Sequence, residues 1–139
     1  MEKIRIKKVS KKKVRSFGKK TWKKFNIERG FSWNQKEFFY LAYQKKRAIG
    51  FFRLRIIGRV AELKELLVVK EYRDKGVGQE LLKKCEQIAK NKDCFKIKLF
   101  TSEKHKEALK FYKKNGYKKE GELKNDLFHF DWYWLTKNL

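Results

Sequence analysis

The chain has 139 residues, of which 41% are hydrophobic and 40% are charged, and its formal net charge is +23. A chain of this length predicts one domain, and folding can bury roughly two thirds of its unfolded surface. Its twelve Phe, four Trp and six Tyr residues argue against intrinsic disorder, because disordered chains contain few aromatic residues.

Positive charge is spread along the whole chain beside many acidic residues, with 39 Lys and Arg against 16 Asp and Glu. The excess attracts polyanions, but the mixed pattern favours a general solvated surface over a dedicated nucleic-acid face. No apolar run approaches the roughly eighteen residues that a membrane span needs, so we expect a soluble, cytoplasmic protein with no membrane partner. Cys85 and Cys94 are the only cysteines and form no four-ligand pattern, so the sequence predicts no metal site.

The first part of the chain predicts one exposed strand followed by helical segments. Residues 1–9 alternate apolar and basic side chains, which is typical of an edge strand. Ser10 is suited to cap the helix that follows, and Gly18 is expected to interrupt that helix. Residues 30–33 then offer a break and a second, shorter helical or turn segment.

Three strands are predicted next, as an antiparallel meander. Residues 37–43 and 48–57 are rich in aromatic and β-branched side chains, and the four residues between them suit a hairpin loop. Gly58 and Arg59 turn the chain into a central strand. This strand ends in the unbroken apolar run 66–69, which indicates burial on both faces.

A charged loop and a helix follow the central strand. The loop covers 70–75, Gly76 and Gly78 allow conformations that other residues resist, and a helix is predicted from about Gly78. One face of this helix is apolar and consists of Leu81, Leu82, Cys85, Ile88 and Ala89. Because a helix N-terminus has unpaired N–H groups and roughly half a positive charge, its start predicts an anion site that suits a pyrophosphate.

The last part of the chain predicts a strand, a helix and two closing strands. Residues 95–100 alternate as a strand does, and a crossover of this length places that strand parallel to the central one. A second helix over 104–114 ends at Asn115-Gly116. Residues 117–123 and 127–135 are predicted as the final strands.

Two motifs in this order resemble a known family. The sequence RDKGVG at 73–78 resembles the Gln/Arg-x-x-Gly-x-Gly/Ala signature of the GNAT acyltransferase superfamily, and ALKFYKKNGY at 108–117 resembles its Ala-x-x-x-Tyr-x-x-x-Gly-Phe element. The resemblance implies an α+β fold with three α/β/α layers. It further implies a mixed, mostly antiparallel sheet of about seven strands, with a central parallel pair and about four helices, in a single acetyltransferase domain over 1–139.

The resemblance also implies acetyl-CoA as the cofactor. Backbone groups of the central strand would bind the pantetheine arm, at Leu67, Val68 and Val69. The glycine loop would bind the pyrophosphate, through Arg73, Asp74, Lys75, Gly76, Val77, Gly78 and Gln79. His105 stands where many family members have Asn, and a lone exposed histidine on a Lys-rich helix is more often inert than functional.

Tyr112 and Glu62 are the candidate catalytic residues. A phenol stays protonated at neutral pH and can protonate a departing thiolate, and Tyr112 has the family's tyrosine position; the alternative is a core tyrosine. Glu62 falls where the histone-acetylating branch of the family has its general base; the alternative is a surface glutamate paired with Lys64 or Arg59. The bulge that the family has in this strand would keep Glu65 as a second candidate base.

We therefore expect an acetyl-CoA-dependent N-acetyltransferase that acetylates a primary amine by direct attack. The acceptor is a protein, a peptide or a small molecule, and the positive charge favours an acidic or polyanion-associated amine over a free polyamine. Two alternatives stay open: a basic nucleic-acid- or ribosome-associated binding module, and a CoA-binding protein without transfer activity. The oligomeric state is open between a monomer and a homodimer.

Overall fold

The computed structural model describes residues 2–139 of the chain. It contains two compact units, one that ends at Trp33 and one that covers Asn34–Leu139. The single-domain organisation expected from the sequence stays a prediction. Within the described residues, no helix has both the length and the apolar character that crossing a membrane requires.

In the first unit, residues 2–10 have no regular secondary structure and are followed by the helix α1 (Lys11–Arg29). As predicted, Ser10 caps α1, because its side chain accepts a hydrogen bond from the Lys13 N–H at 3.2 Å. The helix continues through Gly18, since an isolated glycine in a helix costs only about 1 kcal/mol relative to alanine. It ends at Gly30, whose φ of 71° is the left-handed conformation that glycine adopts easily.

The second unit is built on one sheet of six strands. The strands are β1 (Gln35–Gln44), β2 (Arg47–Ile57), β3 (Val60–Val68), β4 (Lys96–Ser102), β5 (Lys118–Leu123) and β6 (Trp132–Asn138). Their order across the sheet is β1-β2-β3-β4-β6-β5. β3 and β4 are parallel and every other neighbouring pair is antiparallel, so the predicted α+β class with a central parallel pair is confirmed.

Two details of the sheet differ from the prediction. Residues 2–9 form no strand, which leaves six strands instead of about seven among the described residues. An alternating pattern produces a strand only where a neighbouring strand satisfies its backbone groups. The last strand begins at Trp132 and not at 127, because Leu127–His129 forms a 3₁₀ turn that accepts a hydrogen bond from the Trp132 indole at 2.9 Å.

The helices α2 (Val77–Asn91) and α3 (Lys106–Lys114) complete the second unit. α2 buries the predicted apolar face, Leu81, Leu82, Cys85, Ile88 and Ala89. These side chains join one core with Phe52, Leu54 and Ile97 from the sheet, and with Tyr112 from α3. Residues 2–139 contain three α-helices, close to the approximately four expected, and α1 is uninterrupted. The core therefore holds α2 and α3 against the strands that they connect.

Candidate active site

Strands β3 and β4 are held together only at their first residues. The parallel pairing has three positions within the described chain, Val60 with Lys96, Ala61 with Ile97 and Glu62 with Lys98. Beyond Glu62, β3 stays paired with β2 as far as Val68. The edge of β3 that faces β4 is unpaired over this stretch, so the two strands splay and leave a cleft in the middle of the sheet.

The hydrogen bonds of β3 identify the backbone groups that face this cleft. The Val69 N–H donates to the Ile49 carbonyl at 2.9 Å, so Val69 faces β2. Because the direction of the backbone groups alternates along an antiparallel pair, Leu67 also faces β2, and Leu66 and Val68 face the cleft. The Arg73 Nε donates to the Val68 carbonyl at 2.9 Å, which confirms this direction.

Helix α2 begins at an open N-terminus. Gly76 precedes the helix with a φ of 86°, which glycine adopts without strain, and no side chain of residues 2–139 caps the helix. A Cβ placed on Gly76 would meet no atom of the described chain within 4 Å. The first N–H groups of α2 lack intrahelical partners, as at every helix start, and here they face free space.

Two adjoining cavities occupy the splay and the helix start. The larger has a volume of about 780 Å³ and lies between β3, β4 and the first turns of α3. The smaller has a volume of about 480 Å³ and reaches the start of α2. Six residues line both cavities: Leu66, Leu67, Arg73, Glu107, Ala108 and Tyr112. A continuous groove therefore leads from the middle of the sheet to the N-terminus of α2.

The structure brings most of the predicted site residues to this groove. They are Leu67, Val68, Arg73, Asp74, Gly76, Gly78, Gln79 and Tyr112. Val69, Lys75, Val77 and Glu62 line neither cavity. The groove thus contains the candidate acid and most of the candidate cofactor residues, but not the first candidate base.

Tyr112 is a buried residue that borders both cavities. Its side chain is 7% exposed and packs edge-on against Phe111 and Tyr117. Burial raises its pKa above the ordinary value for tyrosine, so the phenol keeps its proton at neutral pH. The neighbouring Tyr117 hydroxyl donates to Glu86 Oε2 at 3.1 Å, and this bond gives Tyr117 a structural role.

Glu62 is held in ion pairs between two basic side chains. Its Oε2 lies 2.8 Å from Lys64 Nζ and 3.2 Å from Arg55 Nη2, and its side chain is 12% exposed. Burial alone would raise the pKa of Glu62, but the hydrogen bond and charge of Lys64 and the charge of Arg55 outweigh it, so the pKa is lowered. A carboxylate with a lowered pKa accepts a proton less readily, so this geometry favours the alternative of a paired glutamate.

A bulge at Lys64 changes the faces on which the glutamates of β3 lie. Arg53 pairs with Glu65 and Leu54 pairs with Leu63, so Lys64 is the extra residue. Glu62 pairs with Arg55, which lies on the same face of β2 as Arg53. Glu65 and Glu62 therefore share a face, contrary to simple alternation, and Glu65 borders the larger cavity.

His105 lines the groove, although the sequence assigned it no role. It precedes α3 and lines the larger cavity with Tyr112. Its Nδ1 lies 3.1 Å from the hydroxyl oxygen of Thr101, a buried residue of β4. The signal in the sequence was its position three residues before Ala108, but its bond to Thr101 depends on the packing of α3 beside β4.

Comparison with known proteins identifies the family. The model of the Acetyltransferase (GNAT) family matches residues 9–117. The chain belongs to this family. The spermidine N(1)-acetyltransferase of Thermoplasma acidophilum is 37% identical over 79 residues, which cover 57% of this chain and 49% of that protein. The chain spans about half the length of the curated relatives that it matches first.

Solved structures of the same fold support this assignment. An acetyltransferase from Bacillus cereus superposes with a TM-score of 0.82 over 98% of both chains, and at 21% identity this likeness shows the fold alone. A GNAT family acetyltransferase from Elizabethkingia anophelis, solved with acetyl-CoA bound, has a TM-score of 0.67 and 27% identity. That comparison covers 73% of this chain and 75% of the other.

The ion pairs of Glu62 predict a pH-dependent contribution to stability. A carboxylate whose pKa is lowered by folding stabilises the protein above its unfolded pKa, and this contribution is lost as the pH falls through the folded pKa. We expect Glu62→Gln to lower the free energy of unfolding at pH 7, and the difference from the wild type to shrink below about pH 4.3. Denaturant titrations of the wild type and of Glu62→Gln at pH 7 and pH 3 measure this difference in the free energy of unfolding.

Glu65→Gln is the matched control, because Glu65 lies on the same strand face and forms none of the ion pairs found in residues 2–139. We expect its effect on the free energy of unfolding to be small at both pH values. A Glu62→Gln effect that stays constant or grows in acid would contradict the ion-pair account.

Proposed function

We propose that the protein is an acetyl-CoA-dependent N-acetyltransferase that transfers an acetyl group to a primary amine by direct attack. The observation that carries this proposal is the continuous groove from the β3–β4 splay to the open start of α2. An extended thioester with a diphosphate at one end needs an unpaired strand edge and an anion site in line with each other, and the groove provides both.

Residues of the groove suit the two parts of the cofactor. The backbone of Leu66 and Val68 faces the cleft and would bind the pantetheine arm as an added strand. The N–H groups that follow Gly76 would bind the pyrophosphate, with the positive charge of Arg73, which lines the same cavity. Bound acetyl-CoA supplies the activated acyl group and a thiol leaving group.

Tyr112 is proposed as the acid that protonates the departing sulfur. Its phenol is protonated at neutral pH, burial raises its pKa further, and it borders the cavity where the acyl group would lie. Glu62 stays a sequence-based candidate for the base, and its ion pairs weigh against it. Glu65 is better placed, since it borders the same cavity as Tyr112.

The charge around the groove bears on the acceptor. Basic side chains outnumber acidic ones in the wall of the larger cavity, which includes Lys64, Arg73, Lys104, Lys106, Glu65 and Glu107. A related protein is named for acting on spermidine, a polycation. The positive wall here and the net charge of +23 favour an amine within an acidic peptide over free spermidine.

An acetylation assay with a small acceptor panel tests the proposed activity. We expect an acidic peptide with a single lysine to give a higher kcat/KM than spermidine. Higher activity with spermidine would overturn the acceptor class alone. Acetyl-CoA binding without acetylation of any amine would favour a CoA-binding protein without transfer activity, and steeply salt-dependent RNA binding without CoA binding would favour the nucleic-acid module.

Replacing the Tyr112 hydroxyl is expected to slow the reaction without weakening the cofactor complex. Tyr112→Phe keeps the buried ring, so we expect kcat to fall by about 100-fold while the acetyl-CoA Kd stays within about twofold, since acid catalysis acts mainly in the transition state. Steady-state kinetics and calorimetry measure the two effects. Tyr133→Phe on β6 is the control and should retain wild-type kcat. Unchanged kcat in Tyr112→Phe would remove this residue from the mechanism.

A side chain at Gly76 is expected to block the pyrophosphate. Gly76→Val places a branched side chain beside the first N–H groups of α2, so we expect the acetyl-CoA Kd to rise at least tenfold by calorimetry. Gly58→Val is a matched control, because Gly58 also has a positive φ and free space around it but lies in the β2–β3 turn. Equal affinity in a folded Gly76→Val protein would contradict the anion-site assignment.

A further inference from the structure

His105 and Tyr112 border the same cavity. His105 is the residue that immediately precedes α3, and Tyr112 lies within that helix. A substrate bound in the larger cavity would therefore meet both side chains.

The imidazole of His105 is held in a defined orientation. One nitrogen, Nδ1, lies 3.1 Å from Thr101 Oγ1, and the ring meets Trp132 edge-on with centroids 6.4 Å apart. Thr101 is buried in β4, so its hydroxyl is a rigid partner. In the tautomer with the proton on Nδ1, the Nδ1–H donates a hydrogen bond to the Thr101 oxygen. Nε2 then keeps its lone pair and can accept a proton.

We propose that His105 is the general base of this enzyme, in the tautomer with its proton on Nδ1, with Thr101 as the positioning residue that holds the ring. This assignment rests on the proposed acetyltransferase function. With His105 as the base, the reaction does not need Glu62 as a proton acceptor, and Glu62 can stay in its ion pairs with Lys64 and Arg55. His105 is itself exposed, so water can relay the proton between the acceptor and the ring and can carry it away afterwards.

The proton balance of the transfer needs both residues. The acceptor ammonium gives one proton to His105 Nε2, and the free amine then forms a C–N bond to the carbonyl carbon as the C–S bond breaks. Tyr112 gives its proton to the sulfur and regains one from the acylated nitrogen. The proton on His105 passes to water, so the net products are the amide, the CoA thiol and one released proton.

A general base acts in its neutral form, so we expect kcat/KM to rise with pH. The charged side chains that line the cavity with His105 are Lys64, Glu65, Arg73, Lys104, Lys106 and Glu107. Two acidic residues also belong to its surroundings: Glu103 precedes it by two residues, and Asp131 is the neighbour of Trp132, on which the imidazole packs.

The test compares variants of the two histidines in the chain, with an acidic single-lysine peptide as acceptor. We expect His105→Gln to lower kcat/KM by about 100-fold near neutral pH, to abolish the rise with pH, and to leave the acetyl-CoA Kd unchanged. His129→Gln is the matched control, because His129 also bonds an oxygen through Nδ1, that of Asn125 at 3.2 Å, but lies outside the groove. We expect it to behave as the wild type.

Two further measurements separate catalysis from a merely structural role. Added imidazole should restore part of the rate of His105→Ala, and nitrogen NMR of the cofactor-free protein should show the Nδ1–H tautomer. An unchanged kcat/KM in His105→Gln, or an Nε2–H tautomer in the wild type, would overturn the assignment of His105 as the base. The proposed acetyltransferase function would stand, because the protein would still be active. If the wild-type protein does not bind acetyl-CoA, the proposed function is overturned, and the assignment of His105 as its base is overturned with it.

Discussion

The parting of β3 from β4 after three paired positions is the constraint on which the rest of the site depends. Neighbouring parallel strands inside a sheet normally stay hydrogen-bonded along their whole length. If β3 and β4 were paired in this way, no groove would exist between them. The strands part after Glu62, and the gap between them is lined by Tyr112 of α3 and by His105, which precedes that helix. The sheet is held on both sides of the gap, by β2 against β3 and by β6 against β4.

The splay also accounts for the charges nearby. The bulge at Lys64 brings Glu62 and Glu65 onto one face, and Glu62 is then neutralised by Arg55 and Lys64 at the point where the strands part. Glu65 and His105 remain beside the cavity. The structure thus separates a glutamate held in ion pairs from two polar side chains that line the cavity.

Local sequence patterns predicted the parts of the fold that depend on local chemistry. The β1–β3 meander, the apolar face of α2 and the glycine at its start were predictable, because alternation, helical spacing and positive φ are properties of short segments. The bulge at Lys64, the Glu62–Arg55 pair and the His105–Thr101 bond were not, since each joins residues whose contact depends on strand register or on the packing of α3. Of the strand expected over residues 1–9, the described part, 2–9, forms no strand, for the related reason that a strand needs a neighbour.

Hydrogen exchange with and without acetyl-CoA tests the central claim most directly, because it reports on the backbone groups that the splay leaves unpaired. The account predicts that acetyl-CoA slows exchange in two places, at the end of β3 around Leu66 and Val68 and at the first turn of α2 after Gly76. Exchange in β1 should stay unchanged. Acetyl-CoA binding that protects neither stretch, or that protects only residues outside the groove, would contradict the account.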